Sequence, residues 1–259
     1  MKLGMEMDLL TLLLLAGCGL GAGFIDSIAG GGGLITLPAL LAAGLSPTQA
    51  LATNKLQSSF GSFSATWYFA RHGYIEFSTI KWAVVLTFIG SAFGTLLVQQ
   101  IDASALAQIL PFLLMGFAFY FLFSPRVGDQ DSQRRLGHLA FAATIGLGVG
   151  FYDGFFGPGT GSFFAVGFVA LAGFNLAKAT AHSKLLNFTS NLASLIFFAL
   201  GGKMVWTVGL TMAVGQFIGA RLGSRLVVKR GVGLIRPLLV IMSLAMSLKL
   251  LNQHYGWLS

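Results

Sequence analysis

Two lysines and two aspartates lie in stretches of this 259-residue chain that are otherwise apolar. Lys55 stands in the sequence ATNKLQSS and Lys184 in the sequence AHSKLLNF. Asp26 and Asp153 stand in the glycine-rich sequences GLGAGFIDSIAGGG and GLGVGFYDGFFGPG. A charged side chain at the centre of a bilayer costs about 3 kcal/mol on insertion scales, so each of these residues needs a partner or a function.

The lysines have two interpretations. In the first, Lys55 pairs with Asp26 and Lys184 pairs with Asp153, and the pairs serve packing alone. In the second, the lysines attract an anion, which neighbouring hydroxyl and amide side chains and the backbone N–H groups of glycine-rich breaks would also bind. The density of polar side chains favours the anion. The predicted substrate-binding residues are Lys55, Lys184, Thr53, Asn54, Gln57, Ser58, His182, Ser183 and Asn187.

The aspartates also have two interpretations. Asp26 and Asp153 either carry a coupling proton or cation, or they act as fixed partners that keep the lysines charged. The predicted breaks of the helical backbone near them are Gly30, Gly31, Gly32, Gly157, Gly159 and Gly161. The single cysteine, Cys18, excludes a multi-cysteine metal or iron–sulfur site. No metal and no cofactor are predicted.

The composition is that of an all-α polytopic membrane protein. Hydrophobic residues make up 55% of the chain and charged residues 9%, and the mean hydropathy is +0.80. Apolar runs of about 20 residues are long enough to cross a bilayer, and in lipid such runs must be helical to satisfy their backbone hydrogen bonds. The predicted long transmembrane segments are Leu9 to Ile28, Pro47 to Ala70, Ile80 to Leu97, Ala103 to Phe123, His138 to Phe156, Leu176 to Leu200, Val205 to Val227 and Gly233 to Leu251, eight in all.

The chain also contains an internal repeat. The two glycine-rich sequences align with identity at eight of fourteen positions, and the two lysine sequences align after a short insertion. The predicted organisation is a first repeat (1–123), a polar linker (124–137) and a second repeat (138–259). After its glycine-rich break, each repeat has a short apolar piece, 34–43 or 162–172, which predicts two half-length helices.

The basic connections predict that the repeats are inverted relative to each other. In the first half, the connection after the lysine-bearing segment is basic, with Arg71 and Lys81. In the second half, the basic residues Arg225 and Lys229 lie instead at or near the next connection along the chain. Basic loops favour the cytoplasmic side, so both termini are expected in the periplasm and the chain in the bacterial inner membrane. The 16 Lys and Arg residues against 8 acids suit lipid headgroups rather than nucleic acid.

Through GLGAGFIDSIAGGGGLITLP, ALATNKLQSS and their second-half copies, the sequence resembles the TauE/SafE family of membrane transporters. The resemblance implies export of a small sulfur oxyanion or organosulfonate, such as sulfite or sulfoacetate, with no enzymatic step. An anion channel is an alternative. An intramembrane aspartyl-type hydrolase is a weaker one, because paired lysines would hold both carboxylates ionised and the chain has no GxGD motif. The expected partners are the small anion and the lipid bilayer, with a homodimer left open.

Overall fold

The computed structural model describes residues 7–102, 104–106 and 130–230, and its long elements are all helices. The first half contains α1 (Leu9–Ala29), α2 (Gly33–Ala42), α3 (Pro47–Arg71) and α4 (Phe77–Val98). In the second half, α5 consists of His138–Phe141, a π-helical turn at Ala142–Gly146 and Leu147–Phe155. It is followed by α6 (Thr160–Ala172), α7 (Leu176–Leu200) and α8 (Trp206–Arg230). The all-α class is therefore confirmed.

The two halves have the same order of long and short helices. A long helix ends at Ala29 or Phe155, and a short helix begins at Gly33 or Thr160, so each glycine-rich sequence lies between two helices. The short helices have 10 and 13 residues, about half of what a bilayer requires. Apart from residues 104–106, the predicted segments Ala103 to Phe123 and Gly233 to Leu251 lie outside the described residues, so the count of eight long helices stays a prediction.

Local capping explains where the two lysine-bearing helices begin. Ser46 precedes α3 and forms a capping box: its side chain accepts a hydrogen bond from the Gln49 N–H, and the Gln49 side chain accepts one from the Ser46 N–H. At the start of α7, the Asn175 side chain accepts a hydrogen bond from the Lys178 N–H at 3.0 Å. Serine and asparagine are both residue types that favour the N-cap position of a helix.

The linker between the halves is fastened to the start of α7. Asp131 accepts a hydrogen bond from the Asn175 N–H at 2.7 Å and forms an ion pair with Lys178 at 3.2 Å. The hydrogen bond from the Asn175 N–H is the main reason why the pKa of Asp131 lies below its usual value. This end of α7 is thereby held to the polar connection outside the apolar spans.

The outer surface is apolar where a soluble protein would be polar. By length and hydropathy, α1 and α4 are the described helices apolar enough to cross a membrane, with mean hydropathies of 1.9 and 1.7. The 25-residue helices α3, α7 and α8 are long enough but less apolar. Helices α3 and α7 bury polar side chains on their inner faces, whereas α8 carries exposed cations towards its end, Arg221, Arg225, Lys229 and Arg230. Their outer faces expose large apolar side chains, among them Phe60, Phe63, Trp67, Ile196, Val214 and Ile218. This inside-out distribution suits a lipid environment.

The halves interlock rather than standing side by side. Helix α1 packs along α8, α4 packs along α5, and α3 and α7 cross each other between these pairs. Helix α3 also packs on α8, and α7 packs on α4. The inner faces of α3 and α7, which carry the lysines, therefore lie against elements of the opposite half.

Glycines bring the paired helices close together. A Cβ at Gly19 or Gly23 of α1 would collide with the α8 backbone, and one at Gly215 or Gly219 of α8 would collide with the α1 backbone. The same reciprocal pattern holds between α4 and α5, through Gly90, Gly94, Gly146, Gly150 and Gly154. Small residues spaced four apart permit this kind of close helix contact in membranes.

Candidate functional site

Each site lysine forms an ion pair with an aspartate of the other half. The Lys55 Nζ lies 2.9 Å from Asp153 Oδ1, and the Lys184 Nζ lies 3.2 Å from Asp26 Oδ2. Lys184 also donates to the main-chain carbonyl of Asp26. Both lysine side chains are 1% exposed. The pairs thus join the two halves near the ends of α1 and α5, beside the glycine-rich breaks.

The pairing within each half, Lys55 with Asp26 and Lys184 with Asp153, was wrong. The physical reason is the interlocked packing, which sets α3 and α7 across each other and brings each lysine to the glycine-rich break of the opposite half. Gly157 and Gly161 leave the space that the two ammonium groups need. A Cβ at Gly157 would lie 3.0 Å from Lys55 Nζ, and one at Gly161 would lie 2.9 Å from Lys184 Nζ.

The two aspartates are held differently. Asp26 Oδ1 accepts hydrogen bonds from the N–H groups of Gly31 and Gly32, both at 3.0 Å, while its Oδ2 contacts Lys184. Asp153 Oδ1 accepts from Thr160 Oγ1 at 2.7 Å and also contacts Lys55. The second carboxylate oxygen of Asp153 is buried and has no hydrogen-bond partner among the described residues.

A small polar cavity lies between the two breaks. The centre of a water-sized sphere can move within a volume of about 20 Å³ in this cavity. This is room for one water molecule. Its lining is almost entirely polar and comes from both halves: Asp26, Gly31, Gly33, Asn54, Ser58, Asp153, Gly157, Gly159, Thr160, Gly161, Asn187 and Asn191. A polyatomic anion requires the cavity to widen.

The cavity amides are oriented by their neighbours. Asn54 Oδ1 accepts from Thr36 Oγ1 at 2.5 Å and from Gln57 Nε2 at 2.9 Å. Asn187 Oδ1 accepts from Asn191 Nδ2 at 3.1 Å. Because these oxygens are occupied, the amide NH₂ groups of Asn54 and Asn187 remain to donate. Donors of this kind, beside two lysines, can bind the oxygens of an anion.

Several predicted binding residues lie away from the cavity. Thr53 Oγ1 accepts from the Val205 N–H at 3.1 Å, and Ser183 Oγ donates to the Thr180 carbonyl within its own helix. His182 Nε2 accepts from the Glu76 N–H at 3.1 Å, so this ring ties α7 to the start of α4.

The remaining predicted residues lie at the cavity or beside it. Asn54, Ser58 and Asn187 line the cavity, and Gln57 contacts it only through Asn54. Of the predicted breaks, Gly31, Gly157, Gly159 and Gly161 line it. Gly30 instead ends α1 with a φ of 77° and packs against Ser162, whose side chain donates to the Ala29 carbonyl. Gly32 is the N-cap of α2 and lies over Asp26.

Thr160 is a site residue that the sequence argument did not identify. It lies in the second half where Gly33 lies in the first, and its hydroxyl binds Asp153. A residue-by-residue alignment of the two glycine-rich sequences could have identified it, because Thr160 in GPGTG has a hydroxyl where the first half has the glycine Gly33.

Comparison with known proteins gives consistent results. Residues 15–250 match the family described as Sulfite exporter TauE/SafE. The chain is 59% identical over 235 residues to the "Probable membrane transporter protein YfcA" of Escherichia coli K12, covering 91% of this chain and 87% of that protein. It is 50% identical over 250 residues to a "Probable membrane transporter protein" of Haemophilus influenzae, covering 96% and 97% of the two chains.

A third relative is the "Probable membrane transporter protein ORF9" of a Sinorhizobium species, 50% identical over 230 residues and covering 89% of this chain and 88% of that protein. No solved structure matches the chain. The apolar outer surface, the interrupted helices and the match over nearly the full length lead to one assignment. The chain is a membrane transporter that belongs to the TauE/SafE family.

Proposed function

We propose that this transporter moves a small anion, a sulfur oxyanion or organosulfonate such as sulfite or sulfoacetate, across the bacterial cytoplasmic membrane, and that it exports that anion. The observation that carries the proposal is the pair of buried lysines beside a polar cavity, each of which forms its ion pair, among the described residues, with a carboxylate of the opposite half. The family description supports a sulfur oxyanion, while the relatives' printed names specify no substrate.

The charges of the site are satisfied internally. With the two ion pairs formed, the four charged side chains sum to zero, and the cavity has room for about one water. An entering anion takes the place of a carboxylate at a lysine and receives further hydrogen bonds from Asn54, Ser58 and Asn187. Widening of the cavity, by separation of the two glycine-rich breaks, gives it room.

The ion pairs argue against a hydrolase with a catalytic aspartate dyad. Such a dyad needs one shared proton, which requires two carboxylates that repel each other. Here each carboxylate contacts its own lysine, and the two carboxylates are not paired with each other.

The test is transport by purified protein in proteoliposomes, with sulfite, sulfate, thiosulfate, sulfoacetate and acetate as probes. We expect accumulation of at least one sulfur anion against its gradient, and at least a tenfold loss in Lys55→Met and Lys184→Met, because a charge-assisted hydrogen bond contributes about 1.5 to 3 kcal/mol. Lys178→Met is the matched control, since Lys178 lies on the same helix as Lys184 but is 41% exposed.

Two results contradict the proposal. Full transport by both well-folded lysine variants places the anion site elsewhere. Movement of the anion only down its gradient, without accumulation under any imposed ion gradient, indicates a channel.

A further inference from the structure

The ion-pair contacts make the two site aspartates chemically unequal. All the carboxylate oxygens of Asp26 are engaged: Oδ1 by two backbone N–H groups and Oδ2 by the Lys184 ammonium. Oδ1 of Asp26 already accepts two hydrogen bonds, and a proton on Oδ2 would share that oxygen with the Lys184 ammonium. Asp26 therefore has no carboxylate oxygen that is without a donor.

Asp153 is held through one oxygen only. Thr160 and Lys55 both contact its Oδ1, and Oδ2 has no hydrogen-bond partner among the described residues. A proton on Oδ2 would displace no donor, and Oδ1 would still accept the hydrogen bond from Thr160 when Lys55 turns to the anion. The Asp153 side chain is 2% exposed and lines the cavity, where there is room for a water molecule that could exchange this proton.

The charges at the site set what must accompany an anion. Lys55, Lys184, Asp26 and Asp153 together sum to zero, so a monovalent anion alone would leave the buried site at −1. A proton on Asp153 returns the sum to zero and leaves Lys55 as the counter-charge for the anion. A buried uncompensated charge is costly, so the neutral combination is the stable one.

We propose that Asp153, and not Asp26, is the coupling residue of the transporter, and that it takes up one proton on Oδ2 for each monovalent anion bound at Lys55. The proton comes from water on the side where the anion enters, and it returns to water when the anion leaves. This inference rests on the proposed anion site. It makes transport of a monovalent anion electroneutral, with a stoichiometry of one proton to one anion.

Asp153 is faced by a small set of titratable groups. Lys55 reaches it from α3, Asp26 and Lys184 lie across the cavity on α1 and α7, and Tyr152 precedes it on α5. The Tyr152 hydroxyl donates to the Pro158 carbonyl. On α4, which packs against this part of α5, Ser91 and Thr95 are the polar neighbours and neither titrates. Of the two carboxylates, that of Asp153 is the one with an oxygen that has no hydrogen-bond partner among the described residues.

The experiment measures protons taken up per anion bound by the purified full-length protein in weakly buffered detergent solution. Methanesulfonate is the probe, because it stays a monovalent anion across the pH range used. For the wild type we expect one proton per anion and an affinity that falls about tenfold for each unit rise in pH, as one linked proton requires. For Asp153→Asn we expect no proton uptake and an affinity that no longer varies with pH.

Thr160→Val is the matched variant, because it removes the hydroxyl that binds Asp153 Oδ1 and leaves the four site charges unchanged. Its uptake should stay at one proton per methanesulfonate bound. Because either variant could fold poorly, infrared difference spectra of the wild type give a second measurement: anion addition should produce the band of a protonated carboxyl group. The band should shift in Thr160→Val, since Thr160 donates to Asp153 and not to Asp26.

Each other outcome overturns a stated part of the proposal. Anion binding by the wild type without proton uptake or a carboxyl band overturns the coupling but leaves the anion site intact. One proton per anion in Asp153→Asn, or a carboxyl band that does not shift in Thr160→Val, overturns the assignment to Asp153. Absence of binding by the wild type to methanesulfonate and to every anion of the transport panel overturns the proposed function together with this inference.

Discussion

Lys55 and Lys184 have equal burial but unequal partners. Asp153, the partner of Lys55, is 2% exposed, whereas Asp26, the partner of Lys184, is 19% exposed and also accepts two backbone N–H groups. Removing one member of a buried ion pair leaves the other as an uncompensated charge, which is more costly than replacing both. The two pairs should therefore differ in their contribution to stability.

We expect Lys55→Met to destabilise the protein by about 3 to 5 kcal/mol, the usual range for breaking a buried pair. Lys184→Met should cost less, because Asp26 keeps its two N–H donors and some contact with solvent. The double variant Lys55→Met/Asp153→Asn should recover most of the lost stability without recovering anion binding. Thermal unfolding of the three variants in one detergent is the measurement. An equal loss of stability in the two single variants would contradict the expected difference between the two ion pairs.

The residues that need a charged partner were easier to predict from the sequence than the identity of each partner. The apolar surroundings marked Lys55 and Asp26 as residues that need compensation, and the structure shows both in ion pairs. Which aspartate meets which lysine depends on how α3 and α7 cross, and no local pattern encodes that crossing. His182 shows the same limit: it is one residue from a hydroxyl and two from the lysine in sequence, yet its ring binds the Glu76 N–H.

At the scale of elements, the close contacts of α4 with α5 depend on glycines on one face. Gly150 is buried, and a Cβ there would lie 2.6 Å from the Thr87 carbonyl oxygen and 2.9 Å from its Cα. Gly148, two residues earlier on α5, is exposed and has nothing within 4 Å of the same position. Replacing each of the two glycines by alanine therefore distinguishes the effect of helix propensity on stability from the effect of helix packing.

We expect Gly150→Ala to destabilise the protein by about 1 to 3 kcal/mol, the range for overpacking a close contact. Gly148→Ala should be neutral or stabilising by up to about 1 kcal/mol, because alanine favours the helix over glycine. Thermal unfolding of the two variants in the same detergent is the measurement. Equal effects would show that the α4–α5 contact is not limited by the space at Gly150.

The elements themselves were largely predictable. Helix ends followed from Ser46 and Asn175 as caps and from the glycine-rich breaks, because these are local signals. The π-helical turn at Ala142–Gly146 was not predicted, since the segment reads as one continuous apolar helix. Its basis is tertiary: the Gly146 carbonyl accepts a hydrogen bond from Thr87 Oγ1 of α4 at 3.1 Å.

At the scale of the whole molecule, the described helices fit two halves of like construction that exchange contacts. Helix α1 lies along α8 and α5 lies along α4, so the first helix of each half packs against the fourth helix of the other. We keep the inverted relation of the halves as a prediction, based on the reversal of basic connections between them. It places the linker in the cytoplasm and both termini in the periplasm.

Reporter fusions test this topology. Alkaline phosphatase, which is active only in the periplasm, should be active when fused after residue 259 and inactive when fused within the linker near Gln130. A fluorescent protein that folds only in the cytoplasm should give the opposite result at the same two sites. A cytoplasmic C-terminus would contradict the inverted arrangement, and fusions in the connection around Gly201 provide an independent check.

The exchange of ion-pair partners has a consequence for how such a chain could have arisen. A single half inserted alone would carry one unneutralised ammonium and one unneutralised carboxylate into lipid, and each is costly there. Two copies of that half, packed as these halves are, would neutralise both, because each lysine meets the other copy's aspartate. A half-length ancestor would thus have to form a dimer with a second copy of itself to be stable in a membrane. Two such halves joined in one chain would no longer have to be identical, and these two do differ, with Gly33 in the first where Thr160 lies in the second.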